Sequence, residues 1–310
     1  MHWKNMEHNC MEYIKTLLGN LEKLQPEKTS IRPFVRKDSS IRAVVFDIYG
    51  TLLISCSGDI HLPDICTDNM ETAMQAANIN IADSADTAGI INELLAGYQD
   101  EIERLHAHAK QNGTPFPEVN ILEIWTRLIH EAANKNKVNT DEHTNIRTFA
   151  FVFEILSNRT FPMPGMREVL NTLQNKNLPL GIISNAQFYT PVVVNYFLTG
   201  DYSNGETIAG ISPELTVFSY KECVAKPDIL LFEKILAALK EKYNISPPEV
   251  LFIGNDMYKD IYPAKQSGMK TALFAGDKRS LRMRENKKEI MHVKPDFIIT
   301  ELIQAAEIVG

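Results

Sequence analysis

The sequence predicts an α/β fold in which helices cover a parallel sheet, and three observations carry that prediction. Short apolar runs rich in branched residues recur at Ala43-Val44-Val45-Phe46 and at residues 180–183, 250–253, 271–274 and 297–299. Each is too short for a helix and suits a strand buried on both faces. Stretches of helical period lie between them, such as residues 166–174 with Val169, Leu170 and Leu173, and residues 229–242 with Leu231, Phe232, Ile235, Leu236 and Leu239. The alternation breaks once, between about residues 59 and 159, where helical patterns continue without any strand-like run. Alternating strands and helices imply a parallel sheet, and the break implies a helical insertion.

Taken in order, residues 5–24 place Met6, Cys10, Ile14, Leu17, Leu18 and Leu21 at three- and four-residue steps, the pattern of an amphipathic helix with one face to bury. Pro26, Thr29, Ser30, Pro33, Ser39 and Ser40 then interrupt any period, so the stretch reads as a linker or wrapping arm. The helix can dock on its own chain or on a partner, and its own chain is favoured. In the insertion, Leu94, Leu95, Tyr98, Ile102 and Leu105 share one helical side, as do Ile121, Leu122, Trp125, Leu128 and Ile129. The break Gly113-Thr114-Pro115-Phe116-Pro117 separates the two helices. The expected organisation is an extension and linker over 1–40, a Rossmann-like core over 41–58 and 160–310, and an all-helical cap over 59–159.

Composition narrows the function. At 310 residues, 44% apolar and 23% charged, the chain is an ordinary globular protein long enough for two cores. A net charge of -7 argues against a broad nucleic-acid surface, which needs clustered excess Lys and Arg. Cys10, Cys56, Cys66 and Cys223 form no Cys-x-x-Cys pair, so neither a zinc ribbon nor a dithiol centre is indicated, and reduced thiols are expected. No apolar stretch is long enough to cross a bilayer, and Lys4, Glu7, Glu12 and Lys15 break up the leading segment. The expectation is a cytoplasmic protein with no membrane partner; oligomeric state stays open.

In an open parallel sheet ligands bind outside the carboxyl ends of the strands. Those ends carry the polar residues: Asp47-Ile48-Tyr49-Gly50-Thr51, then Ser184-Asn185, then Gly254-Asn255-Asp256 with Asp260 beyond. Lys226-Pro227-Asp228 opens the helix before the last of these strands. A lone Asp followed by Gly and Thr is an ordinary turn signal. Two acid-ended strands with a hydroxyl and a lysine between them suit a hard divalent cation held by Asp47 and Asp256, with Ser184 and Lys226 on phosphate oxygens.

These segments, in this order, resemble the four motifs of the haloacid dehalogenase-like hydrolase superfamily, a group dominated by magnesium-dependent phosphatases. The resemblance covers about residues 41–309. It implies that Asp47 attacks phosphorus to form an aspartyl-phosphate that water then hydrolyses. It also implies magnesium held by Asp47, the Tyr49 carbonyl and Asp256. Thr51, Ser184 and Lys226 then bond the phosphoryl oxygens, Asn185 helps through its backbone amide near a helix start, and Asp260 orients Lys226 or a water on the metal. The implied partner is a small phosphorylated metabolite, and the catalytic set is Asp47, Tyr49 and Lys226.

One position departs from that pattern. Most phosphatases of the superfamily carry a second aspartate two residues after the nucleophile, and here Tyr49 stands there. Loss of a positioned acid or base typically costs about 10²- to 10⁴-fold, and a phenol with a pKa near ~10 is a poor base at neutral pH. Asp-x-Tyr-Gly-Thr looks like the metal-independent 2-haloacid dehalogenases, the main rival reading. Against it, residues 52–64 contain no arginine, the next being Arg104, and the last motif supplies the acid Asp256. A binding or regulatory protein with weak turnover is a third reading.

Weaker signals are expected to be structural. His106 and His108 lie two apart on a helix and point in different directions. Trp125, Phe149, Phe151 and Phe153 are expected to pack the cap. Lys278, Arg279, Arg282, Arg284, Lys287 and Lys288, interrupted by Glu285 and Glu289, read as a solvated basic face. Glu101 or Glu103 is the candidate for a general acid supplied from the cap.

Overall fold

The computed structural model describes residues 8–56, 67–82, 86–200 and 207–310, and of residues 8–12 the backbone alone. Met6 and Cys66 lie outside the described residues, as does the Cys10 side chain; Cys56 and Cys223 are free thiols at the surface.

Among the described residues ten strands follow in chain order: β1 Ala43–Phe46, β2 Leu53–Ser55, β3 Asn80–Ile81, β4 Val138–Asn139, β5 Thr160–Pro162, β6 Leu180–Ser184, β7 Thr216–Phe218, β8 Val250–Gly254, β9 Lys270–Phe274 and β10 Phe297–Ile299. The main sheet has the order β10-β9-β8-β1-β6-β7, with every neighbouring pair parallel. All five predicted runs are strands of this sheet. β7 was not expected, since its three residues contain only Val217 and Phe218 as an apolar signal. β1 sits at the centre with all four residues buried, so the charged residue that ends it is delivered to the middle of the sheet's carboxyl edge.

The chain leaves the core through β2 and returns through β5, which pair antiparallel. Between them lie α2 Thr67–Ala76, α3 Thr87–Gln111, α4 Ile121–Asn134 and α5 Ile146–Ser157, with α1 at His8–Gly19. The insertion is not all-helical, because the two-residue strands β3 and β4 pair antiparallel within it; pieces that short have no readable period. Its centre is aromatic: Trp125 stacks on Tyr98 at 4.4 Å between centroids and meets Phe149 and Phe153 edge-on at 5.0 and 5.2 Å. These rings join Phe46, Ile48 and Leu52 in one continuous apolar cluster, so the insertion packs directly on the sheet.

A second contact is polar. Pro117 bridges to Val224, the Glu118 N–H donates to the Cys223 carbonyl and the Ala225 N–H to that of Phe116. The Gln187 side chain donates to the Val119 carbonyl at 2.8 Å and accepts from the Ile121 N–H at 3.3 Å, joining the start of α4 to the segment after β6.

In α1, Ile14 and Leu18 are buried in the core of their own chain. The arm that follows runs along the sheet's free edge, where Phe34 exchanges two backbone hydrogen bonds with Ile298 of β10. Covering an edge strand removes a template for association. The remaining helices are α6 Met166–Asn175, α7 Thr190–Thr199, α8 Ser219–Glu222, α9 Leu230–Tyr243, α10 Tyr262–Gln266 and α11 Gln304–Ile308, with a π-helical turn Met257–Ile261 leading into α10. Among the described residues no helix is long and apolar enough to cross a membrane.

Candidate active site

β1 ends in a tight turn: the Ile48 carbonyl accepts from the N–H groups of Thr51, Leu52 and Leu53, and Gly50 supplies the left-handed φ of 81°. Asp47 keeps its backbone bond to Ile253 of β8 at 2.9 Å, so its side chain is aimed from rigid backbone. Two groups hold one of its oxygens. Ser184, at the end of β6, donates to Asp47 Oδ1 at 2.9 Å, and Lys226 Nζ donates to the same atom at 2.6 Å. Asp47 Oδ2 accepts no hydrogen bond among the described residues.

Lys226 is fixed at both ends. Its backbone N–H donates to Asn185 Oδ1 at 2.7 Å while Asn185 Nδ2 donates to its carbonyl at 3.4 Å. Its ammonium also donates to Asp260 Oδ1 at 2.6 Å. Asp260 is itself oriented by the Asp256 N–H, which donates to its Oδ2 at 2.9 Å. Gly254 makes room for this: a Cβ there would lie 2.5 Å from the Asp260 carboxyl carbon.

Burial sets the charge states. Burial alone lowers the Lys226 pKa, but Asp260 and Asp47 outweigh it and hold the ammonium above its ordinary value. Asp260 is pushed up to about 7, first by burial, with the charges of Asp47 and Asp256 adding to it and Lys226 opposing. Burial also raises the Tyr49 phenol, which shares a 2.8 Å hydrogen bond with Thr190 Oγ1 at the start of α7. A neutral phenol tied to α7 by Thr190 is no base at neutral pH. Glu154, on α5, accepts from the Tyr98 hydroxyl at 3.0 Å and is pushed up to about 7 by burial.

Asp256 caps the turn Met257–Ile261: its Oδ1 accepts from the N–H groups of Tyr258 and Lys259 at 2.8 and 3.0 Å. Its Oδ2 accepts from Arg284 Nε and Nη2 at 2.9 and 2.7 Å. The basic stretch is therefore not simply a solvated face, because Arg282 and Arg284 line the same cavity as Asp47, Tyr49, Asn185, Lys226, Asp256 and Asp260. That cavity is small, about 50 Å³.

Other expectations are corrected. Thr51 is fully buried and donates to Asn255 Oδ1 at 3.2 Å, so its hydroxyl braces the β8 end instead of facing the cavity. Asn185 acts through its side chain on Lys226, since α7 begins only at Thr190. Glu101 is paired with Arg104 at 2.7 Å and Arg127 at 2.9 Å; the Arg104 bond leads in holding its pKa down, and Glu103 is exposed. Neither lines the cavity, so the cap-borne acid from α3 is withdrawn. His108 bonds Asn112, and among the described residues no group of three or more His, Cys, Asp or Glu side chains forms a metal cage.

The donor set fits magnesium in kind. Asp47, Asp256 and the Tyr49 carbonyl offer only oxygen, and magnesium is commonly held by one or two carboxylates plus substrate phosphate, without a dedicated cage. Asp256 Oδ2 is occupied by the Arg284 guanidinium.

The family profile of haloacid dehalogenase-like hydrolases matches residues 41–268. The chain belongs to this family of hydrolases. A glyceraldehyde 3-phosphate phosphatase of Pyrococcus furiosus is 37% identical over 95 residues, 31% of this chain and 36% of that enzyme, so this chain matches only about a third of that relative's length. A phosphoglycolate phosphatase of Shigella boydii is 23% identical over 76% of this chain and 81% of its own. Among solved structures, a 2-haloacid dehalogenase from Pseudomonas syringae superposes with a TM-score of 0.53 at 17% identity, over 86% of this chain and 97% of that one, and so shares the fold.

Proposed function

We propose that this hydrolase cleaves a small phosphomonoester through a phosphorylated Asp47. The observation that supports this best is the grip on Asp47: Lys226 and Ser184 both bond Oδ1, and Oδ2 carries no hydrogen bond among the described residues. Oδ2 attacks phosphorus, the ester oxygen leaves, and water hydrolyses the aspartyl-phosphate. Lys226 stays protonated and donates to the phosphoryl oxygens as charge builds on them, while Ser184, fully buried, holds Asp47 Oδ1 in place. Asp260 keeps the ammonium aimed, and Asn185 fixes the backbone that carries it. Magnesium, held by Asp47, the Tyr49 carbonyl and Asp256, would supply charge neutralisation for the transferring group. A cavity of about 50 Å³, lined by both carboxylates, Lys226 and two arginines, favours a small anionic metabolite.

A second reading keeps one observation of its own. Tyr49 in place of the usual acid, together with a guanidinium in the cavity, suits the metal-independent displacement of halide from a 2-haloacid, with Asp47 attacking carbon. Parallel assays separate the two: phosphate release from a panel of small phosphate esters with magnesium or EDTA, and halide release from 2-chloropropionate. Phosphate release that needs magnesium and is abolished by Asp47→Asn is the expected result. Halide release in EDTA contradicts it, and ligand binding without either product points to a binding or regulatory protein.

A further inference from the structure

The Asp256 carboxylate is already saturated. An ionised carboxylate offers about four acceptor positions, and four N–H groups use them: the backbone amides of Tyr258 and Lys259 on one oxygen, Nε and Nη2 of Arg284 on the other. A cation therefore reaches Asp256 only by replacing one of these donors. The amides are part of the turn that Asp256 caps and cannot leave without unwinding it. The guanidinium is the detachable partner, on a side chain that is 29% exposed and so has a way out to water.

The backbone around Arg284 favours movement of the side chain over movement of the loop. Two residues earlier, Arg282 is pinned to the β8 end, its N–H donating to the Asn255 carbonyl at 3.0 Å and its own carbonyl accepting from the Met257 N–H at 2.9 Å. Just beyond, the Lys287 N–H closes a turn on the Arg284 carbonyl at 2.8 Å. Arg284 itself sits at φ 52°, a conformation uncommon for a long side chain. The same loop is braced from the amino-terminal arm, where the Glu27 N–H donates to Asp277 at 2.9 Å and the Lys278 N–H to the Glu27 carbonyl at 2.7 Å.

We propose that Arg284 is a tethered competitor for the cation site: it neutralises Asp256 in the metal-free protein, and a divalent cation binds by displacing it. The proposal rests on the reading of Asp256 as a metal ligand. A monovalent guanidinium and a divalent cation cannot share one carboxylate oxygen without strong like-charge repulsion, so the two states exclude each other. Arg284 thus sets the apparent affinity for the metal by the fraction of time it is docked.

The test titrates magnesium into the full-length, metal-free protein by calorimetry, comparing wild type with Arg284→Asn and Arg284→Lys. Asn removes the guanidinium and tolerates the left-handed backbone; Lys keeps the charge without the two-pronged grip. The expected result is magnesium binding at least tenfold tighter in Arg284→Asn, a smaller gain in Arg284→Lys, and no binding in Asp256→Asn. In the wild type, the Arg284 Nε–H resonance in ¹⁵N NMR, protected without metal, should lose its protection on saturation with magnesium, a readout that needs no variant to fold. Equal or weaker binding in Arg284→Asn, or a resonance that magnesium leaves unchanged, overturns the proposal. If phosphate release still depends on magnesium in that case, the proposed function survives alone; if neither magnesium binding nor phosphate release is found, both fall.

Discussion

Asp47 and Asp256 close adjacent strands of one sheet, β1 and β8, but their carboxylates are held in opposite ways. Asp47 is gripped on one oxygen by side chains, Ser184 and Lys226, that come from two other segments of the chain. Asp256 is engaged on both oxygens, by the amides of the turn it caps and by Arg284. The first arrangement leaves an oxygen for chemistry; the second conceals one. A carboxylate meant to attack needs a fixed direction and an open lone pair, whereas one meant to hold a cation can be protected by an exchangeable charge until the cation arrives.

The comparison is broken most easily at Asp47. Asp47→Asn should lower turnover by about 10⁴-fold or more while the protein stays folded, because the amide keeps the shape and loses the nucleophile; steady-state phosphate release measures it. Next in size is Lys226→Met, which leaves Asp47 and Asp260 buried without their shared counter-ion. Removing one partner of a buried pair costs about 3–5 kcal/mol, to be read by urea denaturation, and activity should fall alongside. Asn185→Ala tests positioning, since it frees the backbone of Lys226 without touching its charge. A misplaced catalytic group can cost up to about 10²-fold, and the loss should appear in kcat more than in KM.

The smallest effect tests a carboxylate outside the pair. Glu154 is raised from 4.5 to about 7, so between those values the folded state holds a proton that the unfolded state has released. Its contribution is therefore full below pH 4.5 and is lost as pH rises to about 7. The loss should be about 1–2 kcal/mol, less than the full shift implies because the side chain keeps some contact with water. Glu154→Gln should remove that slope, seen as a stability difference from wild type that changes between pH 5 and pH 7.5.

What was legible in the sequence follows from what is local. The runs that became β1, β6, β8, β9 and β10 are buried on both faces and so carry an unbroken apolar signal, and the polar residues that end three of them come together in space. β7 and the short ribbon strands are too brief for any period to register. Thr51 and Asn185 differ from direct contacts because motif order names residues, not the direction their side chains take. Arg284 was the least legible. Its neighbours Glu285 and Lys287 are those of a solvated face, and its partner Asp256 lies 28 residues earlier, across β9. The lack of an arginine in residues 52–64 counts less against a dehalogenase, since a guanidinium reaches the cavity from the far end of the chain.

The claim on which the account depends is that Asp47 takes up phosphorus. Acid-quenching the enzyme during turnover of a phosphate ester, followed by peptide mass spectrometry, examines this atom directly. The account predicts a phosphoryl group on the peptide containing Asp47, absent from Asp47→Asn. An unmodified Asp47 during rapid turnover would contradict it.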